Sequence, residues 1–151
     1  MNINTMREGF NKFCTKTDMD FCWPSNAEDG YIHNHSVTKE MLTEIMDTAV
    51  DIAIVPNSGG IDMTVYYPNG YGLSIIKHPG SYGWESDQWE AAVLKKTEKG
   101  GYDLDYCNDL CGDVIGFLTD KDVINLIQCA KKLNNEGKLP DGVEFVPEGD
   151  M

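Results

Sequence analysis

Positive charge is what this chain has least of. Lysine and arginine together number 12 against 25 aspartates and glutamates, Arg7 is the single arginine, and the formal net charge is -13. Long-range repulsion from such a surface opposes direct binding to nucleic acid or to an anionic membrane. Partners with basic surfaces fit better, among them a protein surface that normally holds nucleic acid, although -13 is modest for a nucleic-acid mimic. No apolar run approaches the ~20 residues of a membrane-spanning helix. The first residues, Met1 to Glu8, lack the apolar stretch of a secretory signal. The expectation is a reducing cytosol, in which Cys14, Cys22, Cys107, Cys111 and Cys129 are mostly free thiols and the Asn34-His35-Ser36 sequon is idle.

Several catalytic signatures are missing as well. Gly70, Gly72, Gly80 and Gly83 have neither the GxGxxG nor the GxxxxGK spacing, and no helix pattern follows them, which excludes a phosphate loop and the nucleotide chemistry it serves. Ser58 and Ser81, the latter near His78, lack the strand-turn-helix setting of a GxSxG nucleophile. No internal repeat is visible.

What is present suits one α+β domain spanning 1–151, since 41% hydrophobic and 25% charged residues are the composition of a globular protein able to bury a core without staples. Ile61, Met63, Val65 and Tyr67 alternate with polar neighbours and predict a strand with one apolar face. Pro68-Asn69-Gly70 predicts a tight hairpin, Tyr71 to Lys77 a returning strand and Trp89 to Lys95 a third. Met41, Leu42, Ile45, Met46, Ala49 and Val50 recur at helical spacing behind Thr38, a good N-cap, and predict a helix from Lys39 to about Ile52. Ala53 to Val55 can continue that helix or begin a strand, and Asn57 to Gly60 reads as a mobile connection. Tyr102 to Asp113 fits a short strand or an ordered loop, and Val114, Ile115, Phe117 and Leu118 read as buried. Thr119 with Asp122 opens a last helix whose apolar stripe is Val123, Ile124, Ile127, Ala130 and Leu133. Residues 1–35 read as irregular with a short helix around Met6, Phe10 and Phe13, and residues 136–151 as a loose acidic tail. The order predicts an antiparallel meander of three or more strands with two main amphipathic helices on one face.

Within this frame, Gly80-Ser81-Tyr82-Gly83, then Trp89-Glu90-Ala91-Ala92-Val93-Leu94, then Asp113-Val114-Ile115-Gly116-Phe117-Leu118-Thr119 with Asp122-Val123, form a pattern. It resembles one found in small uncharacterised proteins of tailed bacteriophages, over roughly Tyr71 to Leu133. The resemblance implies a phage accessory protein made in the bacterial cytoplasm. It transfers no catalytic residue, since no activity is assigned to the family.

The candidate binding residues come from two places. The segment from His78 to Gln88 is too long for a tight turn and too aromatic for an ordinary polar loop. Tyr82 and Trp84 stand there among glycine, serine, Glu85 and Asp87, the setting of an interface anchor or of a small satellite core. Asp103 and Asp105, with Asp109 and Asp113, form an acidic cluster that reads as a hard-cation site or as a solvated face. The calcium-loop pattern counted from Asp103 fails at Cys107, Asn108 and Val114. Cys107 and Cys111 would share a face of a helical turn. Cys14, Cys22, His33 and His35 supply four soft ligands, but zinc sites pair their cysteines about two to four residues apart, and these two are wider. No cofactor and no metal is therefore expected. Three functions follow: a protein that binds and modulates a host protein, a small metal-dependent hydrolase, and a self-assembling homo-oligomer.

Overall fold

The computed structural model describes residues 37–57 and 60–148. The Met6–Phe13 helix, the Cys14, Cys22, His33 and His35 set, Ser58 and the last three residues of the tail lie outside the described residues. Helix α1 (Lys39–Met46) is followed by β1 (Asp51–Asn57), β2 (Gly60–Tyr66), β3 (Tyr71–Lys77), β4 (Trp89–Lys96), β5 (Tyr102–Leu104), β6 (Val114–Leu118) and helix α2 (Asp120–Ala130). The six strands form one antiparallel sheet in the order β1-β2-β3-β4-β5, with β6 beside β5 on the same edge of β4. This is the α+β meander with two helices that the sequence predicts.

Strand alternation decides which face is buried. Ile61, Met63, Val65 and Tyr67 are buried across from Leu73, Ile75 and Lys77 of β3, which in turn face Ala91 and Val93 of β4. Both helices close this face: Met41, Ile45 and Met46 from α1 join Val123, Leu126, Ile127 and Ala130 from α2 in the same core. Each fully buried Ile, Leu, Val or Met contributes about 1.5–3 kcal/mol relative to exposure. The sequence-derived stripe for α2 omits Leu126, which is fully buried, and includes Ile124, which is half-buried.

The first helix is shorter than its spacing predicts. It is capped by Thr38, whose Oγ1 accepts from the Met41 amide at 3.1 Å, but it ends at Met46 instead of Ile52. Thr48 takes a left-handed φ of 60°, and residues from Asp51 onward pair with β2. In the strand, Ile54 is buried opposite Met63, while Val50, counted in the helical stripe, is 60% exposed. Pro56 sits on this outer strand, where a missing N–H costs the sheet nothing.

The Asn69 turn does more than reverse the chain. Gly70 takes the positive φ of 86° that the turn needs. Asn69 accepts from the Tyr71 amide and donates through Nδ2 to the Ala130 and Leu133 carbonyls, at 2.8 and 3.1 Å, capping the end of α2. Lys131 performs the same service for α1, donating to the Glu44 carbonyl at 3.1 Å while its ammonium lies 3.4 Å from Asp47. The Tyr67 hydroxyl donates to the Ile45 carbonyl at 3.0 Å. Burial, then the charges of Glu44 and Asp47, push its pKa well above the ordinary phenol value.

At the other end of α2, Thr119 and Asp122 form a capping box, at 3.1 and 3.0 Å. The second oxygen of the buried Asp122 accepts the Glu148 amide at 2.8 Å. The segment expected to be a loose tail is thus tied back as far as Glu148, with Leu139, Val143 and Phe145 against the core. Its Gly, Pro and acidic composition concealed those three apolar anchors. Val114, expected to be buried, is 38% exposed because it pairs with Ala92 on the sheet face opposite the helices.

Candidate functional site

The segment between β3 and β4 is a chain of short turns braced at both ends. Ser81 holds its start: the Ser81 hydroxyl donates to the His78 carbonyl at 2.8 Å and accepts the His78 amide at 3.1 Å. Gly83, at φ 103°, opens a 3-10 turn over Trp84–Ser86. Its carbonyl accepts the Ser86 and Gln88 amides at 3.0 and 2.9 Å. An added Cβ on Gly83 would stand 3.0 Å from the Gln88 carbonyl oxygen, so glycine is required both by φ and by space. Asp87 closes the turn in a left-handed conformation and places its carboxylate 3.0 Å from Lys77 Nζ.

Lys77 explains how the loop is held on the sheet. Strand alternation puts it on the apolar face after Leu73 and Ile75, and its side chain is only 4% exposed. The ammonium lies 4.3 Å from the centroid of the Trp89 ring, a favourable cation–π distance, and Asp87 supplies the counter-charge. Trp89, fully buried as its strand context predicts, donates from Nε1 to Asp120 at 2.9 Å. The loop end, two strands and the first turn of α2 are therefore linked through one buried cation and one buried ring. Alternation along β3 places Lys77 on the core face, but its partners come from outside β3.

The pocket itself needs β6. The pairing of β4 with β6 shifts between Trp89↔Leu118 and Ala91↔Ile115, so Gly116 and Phe117 together oppose Glu90 in a β-bulge. Phe117 has φ 58°, a strained conformation for a bulky residue. Gly116 lets the loop approach, since an added Cβ would stand 2.5 Å from the Tyr82 Cβ. The Tyr82 carbonyl accepts the Phe117 amide at 3.4 Å, and the Tyr82 amide donates to Glu90 at 2.9 Å. The result is a cavity of about 340 Å³ lined by Ser81, Tyr82, Gly83, Trp84, Glu85 and Phe117, among others. Tyr82 is 60% exposed and Trp84 half-buried. Phe117 and Gly116 were missed as site residues because the contact is non-local; the glycine before an aromatic in a strand was the available signal.

Of the candidate residues, Tyr82, Trp84 and Glu85 line this pocket and Asp87 anchors its rim, whereas Asp103 and Asp105 lie elsewhere. The latter flank the β5 pairing at Leu94, about 17 Å along β4 from Trp89 at the rise of an extended strand. Two of the acids there are engaged in bonding within the fold. Asp105 accepts from Asn108 at 2.9 Å, and Asp109 accepts the Leu139 amide at 2.9 Å and lies 3.5 Å from Lys138. Among the described residues no group of three His, Cys, Asp or Glu side chains could hold a metal ion. Residues 105–113 form bends around Asn108 instead of the helical turn inferred for Cys107 and Cys111. Burial pushes the Cys111 thiol up, and that of Cys129 likewise.

Ser81 directs its hydroxyl to backbone, and His78 places Nδ1 2.9 Å from the Pro79 carbonyl and Nε2 3.6 Å from Asp62, so the two side chains are not arranged as nucleophile and base. Among the described residues, no helix is long and apolar enough to cross a membrane. Comparison with protein-family descriptions, curated proteins and solved structures finds no match to this chain.

Proposed function

We propose that this chain is an acidic phage accessory protein, acting in the bacterial host cytoplasm, that binds a host protein and modulates or inhibits it. The binding surface is the Gly80–Gln88 loop with Phe117, and the partner surface is basic. Covering a host site that normally binds nucleic acid is one form this action takes. The observation that supports the reading best is the pocket between loop and bulge. It is concave and aromatic, and turn hydrogen bonds and the Lys77–Asp87 pair hold it in place. Interfaces draw most of their energy from aromatic anchors of this sort, and a pre-formed loop loses little entropy on binding. The net charge of -13 favours encounter with a basic partner.

The test is affinity capture from host lysate with the parent protein and Trp84→Ala in parallel, followed by titration with the purified partner. The expected result is a host protein that binds saturably to the parent and about 2 kcal/mol more weakly to the variant. Identical recoveries on parent and variant, or nothing retained by either, would remove the proposal.

A further inference from the structure

We infer that the pocket receives an arginine side chain; the inference rests on the protein-binding reading above and specifies the group recognised. Three of the lining residues, Tyr82, Trp84 and Phe117, are aromatic, and Glu85 is the one charged side chain among them. Aromatic faces attract cations, and a guanidinium adds planar stacking that an ammonium cannot provide. A carboxylate at the rim accepts the paired N–H groups of a guanidinium in a bidentate bond. The nearest lysine in the loop framework, Lys77, does not line the cavity, and its charge is met by Asp87. The pocket thus presents aromatic surface and negative charge with no cation of its own. Its volume of about 340 Å³ admits a long side chain. An anionic ligand would meet both Glu85 and the overall charge of -13.

The bulge supports the same assignment. It allows Ile115 and Leu118 both to face the core while the doubled residues, Gly116 and Phe117, are re-aimed toward the loop. Phe117 then lines the pocket in a backbone conformation that costs energy, and this position gives the cavity its third aromatic side chain.

The experiment uses the full chain and three capped tripeptides, acetyl-Gly-X-Gly-amide with X as arginine, lysine or citrulline, followed by nuclear magnetic resonance. The Trp84 indole N–H is assigned from its loss in Trp84→Phe. The arginine peptide is expected to move the Trp84 and Phe117 signals saturably, with the buried Trp89 indole unmoved. Citrulline, which keeps the shape and loses the charge, should bind about tenfold more weakly, with lysine in between. Glu85→Gln should weaken arginine binding several-fold and leave citrulline unchanged. Phe117→Gly, which removes the ring at a φ that glycine accepts, should weaken arginine as well. Equal affinity for arginine and citrulline would overturn the inference, as would shifts scattered over the acidic surface or binding indifferent to both variants. If the peptides fail while host-partner capture remains sensitive to Trp84→Ala, arginine recognition falls and the protein-binding reading stands. If arginine binds and no host protein is captured, the reverse holds.

Discussion

Replacing Asn69 tests whether the hairpin turn and α2 are one unit. Its side chain makes three hydrogen bonds, two to the carbonyls of Ala130 and Leu133 and one from the Tyr71 amide. A net hydrogen bond contributes about 0.5–1.5 kcal/mol, and water can replace part of the loss at this half-buried position, so Asn69→Ala should cost about 2 kcal/mol. For a chain of this size that corresponds to a fall in Tm of about 4–8 °C. Asn69→Asp separates the two roles. It keeps an acceptor for Tyr71 but loses both donors and sets a negative charge against the carbonyl end of a helix, where the dipole is unfavourable. At neutral pH the aspartate variant should therefore be less stable than the alanine one. Urea unfolding of the three proteins gives the ranking directly. An alanine variant within about 0.5 kcal/mol of the parent, or an aspartate variant more stable than alanine, would show that the turn does not cap α2.

The two loop-region tryptophans should behave oppositely in the same assay. Trp89→Ala removes a fully buried ring that partners Lys77 and Asp120 and should cost about 3–5 kcal/mol, whereas Trp84→Ala should stay within about 1 kcal/mol; a reversed order would contradict the placement. Tyr67 makes stability fall in alkali: its folded pKa is raised above the ordinary phenol value of 10.0, so the unfolded chain loses the proton first and the stabilisation, complete below 10.0, drains away as pH climbs past it. The fall of Tm with pH above about 10 should be shallower in Tyr67→Phe, and identical slopes would refute the cause. Thiol mapping by alkylation and peptide mass spectrometry should label exposed Cys107 before half-buried Cys111 and buried Cys129, both of whose thiols burial pushes up; faster labelling of Cys129 than Cys107 would be incompatible with its place on the buried face of α2.

The central strands were legible because a two-residue period survives almost any context: Ile61, Met63 and Val65, then Leu73 and Ile75, point the way the alternation says. The first helix was overextended because Ala49, Val50 and Ile52 continue a helical spacing. Only pairing with β2, invisible to a local window, converts residues from Asp51 onward into a strand. The same division runs through the site. The aromatic composition of the loop marked Tyr82 and Trp84, but Phe117 reaches them through a bulge in a strand beyond β4. The acidic run at Asp103 to Asp113 reads either as a cation site or as a solvated face, because sequence counts carboxylates without showing their use. Asp105 and Asp109 are occupied by Asn108 and by the Leu139 amide.

The clasp at Lys131 has a consequence for the order of folding. Strands β2, β3 and β4 each pair with the strand before, so their turns close over short stretches of chain. The contact from Lys131 to Glu44 spans a separation of 87 residues. Closing so long a span has a high entropic cost before any contact repays it, which favours early zipping of the hairpins and late docking of α1 on α2. Interactions made after the barrier act on the unfolding rate. The junction of the two helices therefore governs how long the native state persists, while the meander governs how quickly it is reached.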